Sequence, residues 1–495
     1  MKTFLNKLRE KPLDNLIMRL LSAWCVSSVF LFFYAPGDFT ELEGYEKVPL
    51  WLTLGLVALF FAVFSVVRLL AKKEVDHRIL PVCFSVYSVL TVLANQDWYY
   101  VFLLTALWAA LVFYYQRKGL FRPKKPFTEK RGKKTLIVLA VVFVVFVGAA
   151  GAMKYLSYRT PNFDFGIFSQ MFYSMKTKLL PMTTCERDKL LSHFAVHISP
   201  ICYLLLPVYA VFSSPVTLQI CQALILASAV IPLILLCRAL ALGAYKTVFL
   251  SAIFLLYPAV SCGTNYDFHE NCFLLPLLFW VFYFFEKKKY PLMAVFAVLT
   301  LLVKEDAAVY LIFFALFIIL DRKKYAAGVS LAAGAACWFA VALILLSRFG
   351  DGVMESRYQN FIVADGGLAE AVRNVLANPG YALTQLLVNK EGDLSEKLLF
   401  LFQLFVPLAF LPFCVKRLSR LTLLFPLLLI NLLTVYRYQF DLGFQYAFGT
   451  TAFLFYLCAI NLTELREDTA KRVFAVSLFA CALCFIIGPA ARFLN

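Results

Sequence analysis

The chain has 495 residues, 62% of them hydrophobic and only 16% charged, a balance that excludes an ordinary soluble domain and points to a polytopic helical membrane protein. Its 47 Lys and Arg against 30 Asp and Glu give a formal charge of +17, but the cations fall in short clusters between apolar runs. They read as topology signals and not as a nucleic-acid surface.

The N-terminal stretch MKTFLNKLREKPLDNLIMRL is basic and carries no small-residue cleavage signal, so it predicts an uncleaved first span with a cytoplasmic start. Apolar runs near 16–34, 49–70, 80–96 and 99–116 make an N-terminal four-helix transmembrane group, residues 1–116. Acidic residues (Asp38, Glu41, Glu43, Glu46) mark its outer connection, and basic ones (Arg68, Lys72, Lys73, His77, Arg78) its inner one. The linker 117–134 holds nine basic residues and one acid, Glu129, which assigns it to the cytoplasm beside anionic headgroups. A span near 135–156 then delivers residues 157–194 outside.

That outer loop interrupts the hydrophobic pattern for roughly forty residues. It carries Asp164, Gln170, Glu186, His193 and, just beyond, His197, together with Phe163, Phe165, Ile167, Phe168, Met171 and Phe172 at helix-like spacing. Such a segment suits an amphipathic helix laid on the membrane surface or over a cavity. Runs at 195–212 and 216–237 follow, and two full crossings would leave the basic hinge Arg238–Lys246 on the wrong side. Either 195–212, with Pro200 and Pro207, is re-entrant or interfacial, or the hinge is external.

Further on, a span near 247–262 is separated by Thr264–Asn271 from one near 272–286, which ends in three lysines. Two short runs, 290–303 and 307–320, meet at Lys304-Glu305-Asp306 and read as a hairpin of half-length helices with charges at its tip. A span at 325–347 closes a core of residues 135–348. A polar outer segment, 349–397, precedes C-terminal helices in 398–495, near 398–414, 420–435, 445–462 and 472–489. The expectation is an all-α protein of about 13–15 transmembrane helices.

Three of the four histidines, His193, His197 and His269, lie in the two polar interruptions on the same expected side. His193 and His197 are four residues apart, one face of a helix, and Asp267, His269 and Glu270 could oppose them across a cavity. The chemistry such a set suits is binding a phosphate or a divalent cation (Mg or Mn), with Asp164, His193, Asp267 and His269 as candidate ligands, and moving protons. HFAVH lacks the glutamate of the zinc-protease motif. Lys304, Glu305 and Asp306 at membrane depth are costly enough to expect a function. No nucleotide-binding glycine loop or G-x-S-x-G is present, which argues against nucleotide-driven pumping and serine hydrolysis. The thirteen cysteines are scattered singly, and Cys481 and Cys484 fall inside an apolar run, so they read as core residues.

PNFDFGIFSQMFY, SHFAVHISPICYLLLPVYAVF, TNYDFHENCFLLPLLFW and LLVKEDAAVYLIFF, in that order, resemble the signature stretches of an uncharacterised family of bacterial integral-membrane proteins. Its members look like distant relatives of the GT-C glycosyltransferases, which use lipid-linked sugars. The resemblance spans about residues 135–490 and implies a GT-C-like fold in the bacterial cytoplasmic membrane with an outward-facing site. It implies inverting transfer of a sugar from a polyprenyl-phosphate donor to an acceptor, with Asp164 as general base and Tyr266-Asp267 matching the acidic motif of a second outer loop. The NFDFG stretch has a lone Asp164 where many GT-C proteins carry Asp-x-Asp, and four spans precede the segment that would be the first GT-C span. Transfer needs cations for the departing phosphate, and Arg159, Lys304, Arg357 and Arg437 are nearest the expected outer face. The catalytic set is then Asp164, Asp267, His193 and His269, with Gln170, His197, Glu270, Glu305 and Asp306 lining the substrate. The competing expectation is a transporter or flippase of a lipid-linked or anionic solute, with a midplane site at the hairpin tip.

Overall fold

A computed structural model of the chain describes residues 12–34, 48–71, 75–120, 127–160, 162–264, 266–350, 352, 355–364, 366–388 and 393–490. The expected loop charges Asp38, Glu41, Glu43, Glu46, Lys72 and Lys73, and also Asn265 and Asp365, lie outside these residues. Among those described, the strands are the two-residue β1 (Met182–Thr183) and β2 (Leu191–Ser192), and the rest of the regular structure is helical. The all-α polytopic class therefore holds. Nine described helices are long and apolar enough to cross a bilayer, or ten if one bent pair counts as a span.

Two compact units divide the chain, residues 1–124 with 494–495, and residues 125–493. The first contains α1 (Pro12–Tyr34), α2 (Leu50–Ala71), α3 (Asp76–Asn95) and α4 (Trp98–Arg117). Each has 20–23 residues, about the length that spans a hydrocarbon core at 1.5 Å per residue. The apolar stretch of α2 has none of its residues buried inside the protein, so its solvent must be lipid. Asp97 caps α4 by accepting the Tyr99 amide at 2.9 Å, which makes the tight turn after α3. Arg19, buried on α1, donates to Ser65 on α2 at 3.0 Å and lies over the Phe61 ring, so the charge is spent inside the group.

The second unit opens with α5 (Glu129–Leu156), 28 residues long, and the amphipathic α6 (Asn162–Lys178). After β2 come a 3₁₀ turn at Pro200–Leu205 and the six-residue α7 (Leu206–Val211). These are far too short to cross, which makes 195–212 non-spanning. The crossing is made by α8 (Pro215–Ser228) and α9 (Val230–Ala239), together one apolar span of 25 residues. Arg238 at its end reaches Glu129 at the start of α5 at 3.1 Å, so these two ends share a side.

The helices α10 (Ala244–Leu256) and α11 (Pro258–Ser261) meet at a bend of 46°. Pro258 causes it: the residue before a proline is pushed out of the helical region, and Tyr257 sits at φ −69°, ψ 131°. Next come α12 (Leu274–Glu286) and the expected half-length hairpin, α13 (Tyr290–Leu301) and α14 (Ala307–Leu320). With 12 and 14 residues its arms reach roughly 18 and 21 Å, about one leaflet. The long α15 (Tyr325–Phe349) packs closely on α14, because Gly328 leaves no Cβ where one would stand 2.5 Å from Ile319 and 3.0 Å from the Ala315 carbonyl.

Beyond α15 lie α16 (Gly367–Ala377), α17 (Pro379–Leu387), α18 (Leu394–Phe405), α19 (Phe448–Glu464) and α20 (Glu467–Phe485). The runs expected as spans at 398–414 and 420–435 are not straight helices. One leaves α geometry after Phe405, with Ala409 and Phe410 at positive φ, and the other is 3₁₀ over Leu418–Leu424 and π over Leu427–Leu432. Broken backbone survives at membrane depth only where protein satisfies it. Tyr257 donates to the Leu404 carbonyl (2.7 Å), Asn461 to Leu411 (3.0 Å), Lys397 to Leu432 (2.7 Å) and Asn431 to Gln439 (2.6 Å). The 13–15 expected spans thus resolve into nine or ten clear ones and several interrupted segments whose helix ends are buried in protein. At the centre, α19 is almost wholly buried, and Phe282, Phe314 and Phe317 pack face and edge around its Tyr456.

Candidate functional site

Asp164 lies in the first turn of α6, where the helix N-terminus favours a carboxylate. The inner face of α6 is Phe165, Phe168, Met171, Phe172 and Met175, all buried, while Phe163 and Tyr173 remain exposed. Gln170 does not face a cavity; its Oε1 accepts from Thr183 Oγ1 (3.0 Å) and the Thr184 amide (2.7 Å), pinning the loop after β1 across the helix. The short β1–β2 ladder then presents His193.

The three histidines converge. Phe168 sits in edge contact with both His193 (5.5 Å between ring centroids) and His269 (5.1 Å), and His193 is 5.9 Å from His197. Each imidazole has its own carboxylate. His193 Nδ1 lies 2.9 Å from Glu186, His197 Nδ1 2.8 Å from Glu305, and His269 Nδ1 3.0 Å from Glu270. For His193 and His197 the hydrogen bond at Nδ1 fixes ring orientation and leaves Nε2 to act outward, whereas His269 Nδ1 faces Glu270 without a hydrogen bond; His193 Nε2 is buried without a hydrogen-bond partner.

The hairpin tip locks onto this group. Glu305 also accepts the Ile198 amide at 3.1 Å, and the Ile201 amide donates to the Leu302 carbonyl at 3.0 Å. Lys304, 1% exposed, lies 3.3 Å from the fully buried Glu270. Burial works against the charge on both, but each sustains the other: His269 and Lys304 hold the Glu270 carboxyl well below its usual range, and Glu270, Asp306 and Glu305 raise Lys304. Burial similarly opposes ionisation of Glu305, yet His197 and Lys304 bring it down to about 2. Burial and the nearby Lys304 charge push His197 down to about 4, so near neutral pH a neutral imidazole donates to a carboxylate. Asp306 goes the other way, raised chiefly by burial, and its Oδ1 has no hydrogen-bond partner.

Of these groups His197, Glu305 and Asp306 lie at one end of a cavity of about 350 Å³. Glu305, Asp306 and Arg357 are its ionisable acids and base, and His197 and Gln439 are further polar groups; the remaining walls, from α14, α15, α16 and residues 429–433, are almost entirely apolar, Phe339, Leu368, Val372, Leu376, Leu429 and Leu433 among them. Arg357 is held between two aromatic faces, 4.9 Å from the Tyr436 ring centre and 5.2 Å from that of Tyr446. Asp164 lies close enough to Tyr266 that burial, followed by that carboxylate, raises the phenol. The Asp164 charge also acts on Tyr436, so Asp164 and Arg357 flank one tyrosine cluster.

Other expected residues lie elsewhere. Asp267 accepts from Lys154 (2.9 Å) and Gln219 (2.7 Å), buried, in a backbone conformation of φ +122° that few non-glycine residues adopt. It ties the end of α5 to the start of α8. Arg437 is 63% exposed and pairs with Glu396 at the surface, and Arg159 is exposed beyond α5. Among the described residues no three His, Cys, Asp or Glu side chains come together as metal ligands. The candidate set Asp164, His193, Asp267 and His269 is instead distributed over Tyr266, Glu186, Lys154 and Glu270, so this donor set does not fit a divalent cation. Sequence reasoning missed Lys154, Phe168, Tyr436 and Tyr446 as site-building residues. Of these only Lys154 left a signal, a lysine at the far end of a span whose basic cluster lies at the other.

The chain matches DUF2079, a family of predicted membrane proteins, over residues 154–491, and belongs to it. No curated protein and no solved structure matches it.

Proposed function

We propose that the chain is a membrane glycosyltransferase of GT-C type, moving a sugar from a polyprenyl-phosphate donor to an acceptor hydroxyl at the outer face of the cytoplasmic membrane. The observation that carries this reading is the cavity: a polar end with the Arg357 cation, the neutral His197 and the carboxyls of Glu305 and Asp306 opening into an almost wholly apolar chamber, the shape of an amphiphile whose head Arg357 could pair. Arg357 and, behind it, Lys304 would neutralise the phosphate. His197, its Nδ1 committed to Glu305, offers Nε2 as an acceptor for a sugar hydroxyl, and Asp306 Oδ1 a second acceptor. In the transfer step the acceptor oxygen attacks the anomeric carbon and the bond from that carbon to the phosphate oxygen breaks. Polyprenyl phosphate leaves with the electron pair, and Asp164 takes the hydroxyl proton.

A transporter reading needs a polar path continuing beyond the hairpin tip. Below Lys304 the space between α12, α14 and α19 is filled by Phe282, Phe314, Phe317 and Tyr456, ring against ring. Purification from native membranes followed by mass spectrometry of bound lipids tests the proposal. Polyprenyl phosphate should co-purify, should be lost in Arg357→Ala, and should remain bound in Asp164→Asn while transfer falls by roughly 10²–10⁴. Absence of any polyprenyl phosphate from the wild type, or full activity in Asp164→Asn, overturns it.

A further inference from the structure

A second recess lies at the opposite end of the hairpin, away from the histidines. It is a groove of about 730 Å³ between α13 and α15, walled by Met293, Ala297, Leu301 and Leu331. Gly334 opens onto it with nothing within 4 Å of where a Cβ would stand. Tyr290, Lys323, Lys324 and Tyr325 form its mouth. The loops bearing Lys287, Lys288 and Lys289 and bearing Lys323 and Lys324 are drawn together by a bond from Arg322 to Glu286 at 2.7 Å. The carboxylates that could neutralise these lysines are already engaged. Glu286 also accepts from Tyr456, while Asp321 accepts from Ser419 at 2.7 Å and faces Arg420. Among the described residues none of the five lysines has an ion-pair partner.

Uncompensated cations at the mouth of an apolar groove suit an amphiphile with an anionic head. The twelve residues of α13 give the groove a depth of roughly 18 Å, about the half-thickness of a bilayer. We propose that this groove binds an anionic phospholipid of the leaflet on the lysine side, its phosphodiester at Lys323 and Lys324 and one acyl chain along α13 and α15. By the positive-inside rule that leaflet is the cytoplasmic one, where anionic lipids give polybasic segments their attraction. The proposal is independent of the transferase reading, since it shares no residue with the His197 cavity.

The test uses the full chain reconstituted in phosphatidylcholine, with phosphatidylglycerol titrated in and followed by native mass spectrometry and by the thermal midpoint. Phosphatidylglycerol should be retained one-to-one and raise the midpoint, while added phosphatidylcholine and inorganic phosphate should not. Lys323→Gln with Lys324→Gln should weaken retention about thirtyfold, at roughly a factor of five per lysine, whereas Lys323→Arg with Lys324→Arg should preserve it. Gly334→Leu, at an exposed position that keeps every charge, should block the chain and abolish retention, and Arg357→Ala should leave it unchanged. Equal binding of phosphatidylcholine, an equal response to inorganic phosphate, or retention unaffected by both the glutamine pair and Gly334→Leu would overturn the proposal.

Discussion

Acidification should loosen the docking of the hairpin tip, through His197. Its imidazole is held down to about 4 in the folded chain, against an ordinary 6.5, chiefly by burial and then by Lys304, with Glu305 opposing the fall. The folded value is the depressed one. Between pH 6.5 and 4 the unfolded chain therefore binds the extra proton, and stability is full above pH 6.5 and drains away as pH falls. At about 1.4 kcal/mol per pH unit the loss over that window is roughly 3 kcal/mol. Glu305, held to about 2 against an ordinary 4.5, adds a loss of its own only at the acid end of the window, where the unfolded carboxyl begins to take up a proton. The assay is the thermal midpoint in detergent from pH 7.5 to 4, compared between wild type and His197→Gln, whose amide can still donate to Glu305 but cannot titrate. Wild type should lose several degrees more than the variant across the window. Parallel profiles would refute the buried neutral imidazole and with it the assignment of Nε2 as an acceptor.

Lys304→Met or Glu270→Gln alone leaves a buried charge without its partner and should cost roughly 3–5 kcal/mol, while the double variant should recover a large part; additive losses in a double-mutant cycle would mean the two do not interact. Of the two arginines in Arg-Tyr-Gln triplets, Arg357→Ala should lower the thermal midpoint by several degrees, since roughly 2 kcal/mol or more of desolvated cation–π contact goes with it. Arg437→Ala, an exposed ion pair, should scarcely move it. If the candidate site faces out, a Cys in place of the exposed Thr177 should react with an impermeant thiol reagent in intact cells; reaction only after the cytoplasmic side is opened would reverse the orientation.

The class of the fold was legible because lipid imposes it: apolar runs about as long as the bilayer is thick, separated by cations, admit few other readings. The half-length hairpin was legible for the same reason, as runs too short to cross must turn. What could not be read was where protein replaces lipid as the solvent. The runs at 398–414 and 420–435 are apolar enough to read as spans, and side chains from outside them, Tyr257, Tyr358, Lys397 and Asn461 among them, make their broken backbone tolerable. Hydrophobicity reports that a segment avoids water and is silent on whether its backbone is satisfied by itself or by a neighbour.

The site divides along the same line. His193, His197, His269 and the Lys304 tip stood out because ionisable residues in an apolar chain are expensive, and the structure does gather them around Phe168 and Glu270. Cost reveals that a group must be paired but not with what. Asp267 and Asp164 carry equal signals in sequence, yet Asp267 is consumed by Lys154 and Gln219 while Asp164 stands beside the Tyr266 phenol. Arg357 and Arg437 open the same triplet, yet only Arg357 is enclosed, because Tyr436 and Tyr446 offer it two ring faces. Charge that the fold has already neutralised can brace a wall. Charge that it holds rigid beside an apolar chamber, as Arg357 is held, is what an anionic amphiphile would need.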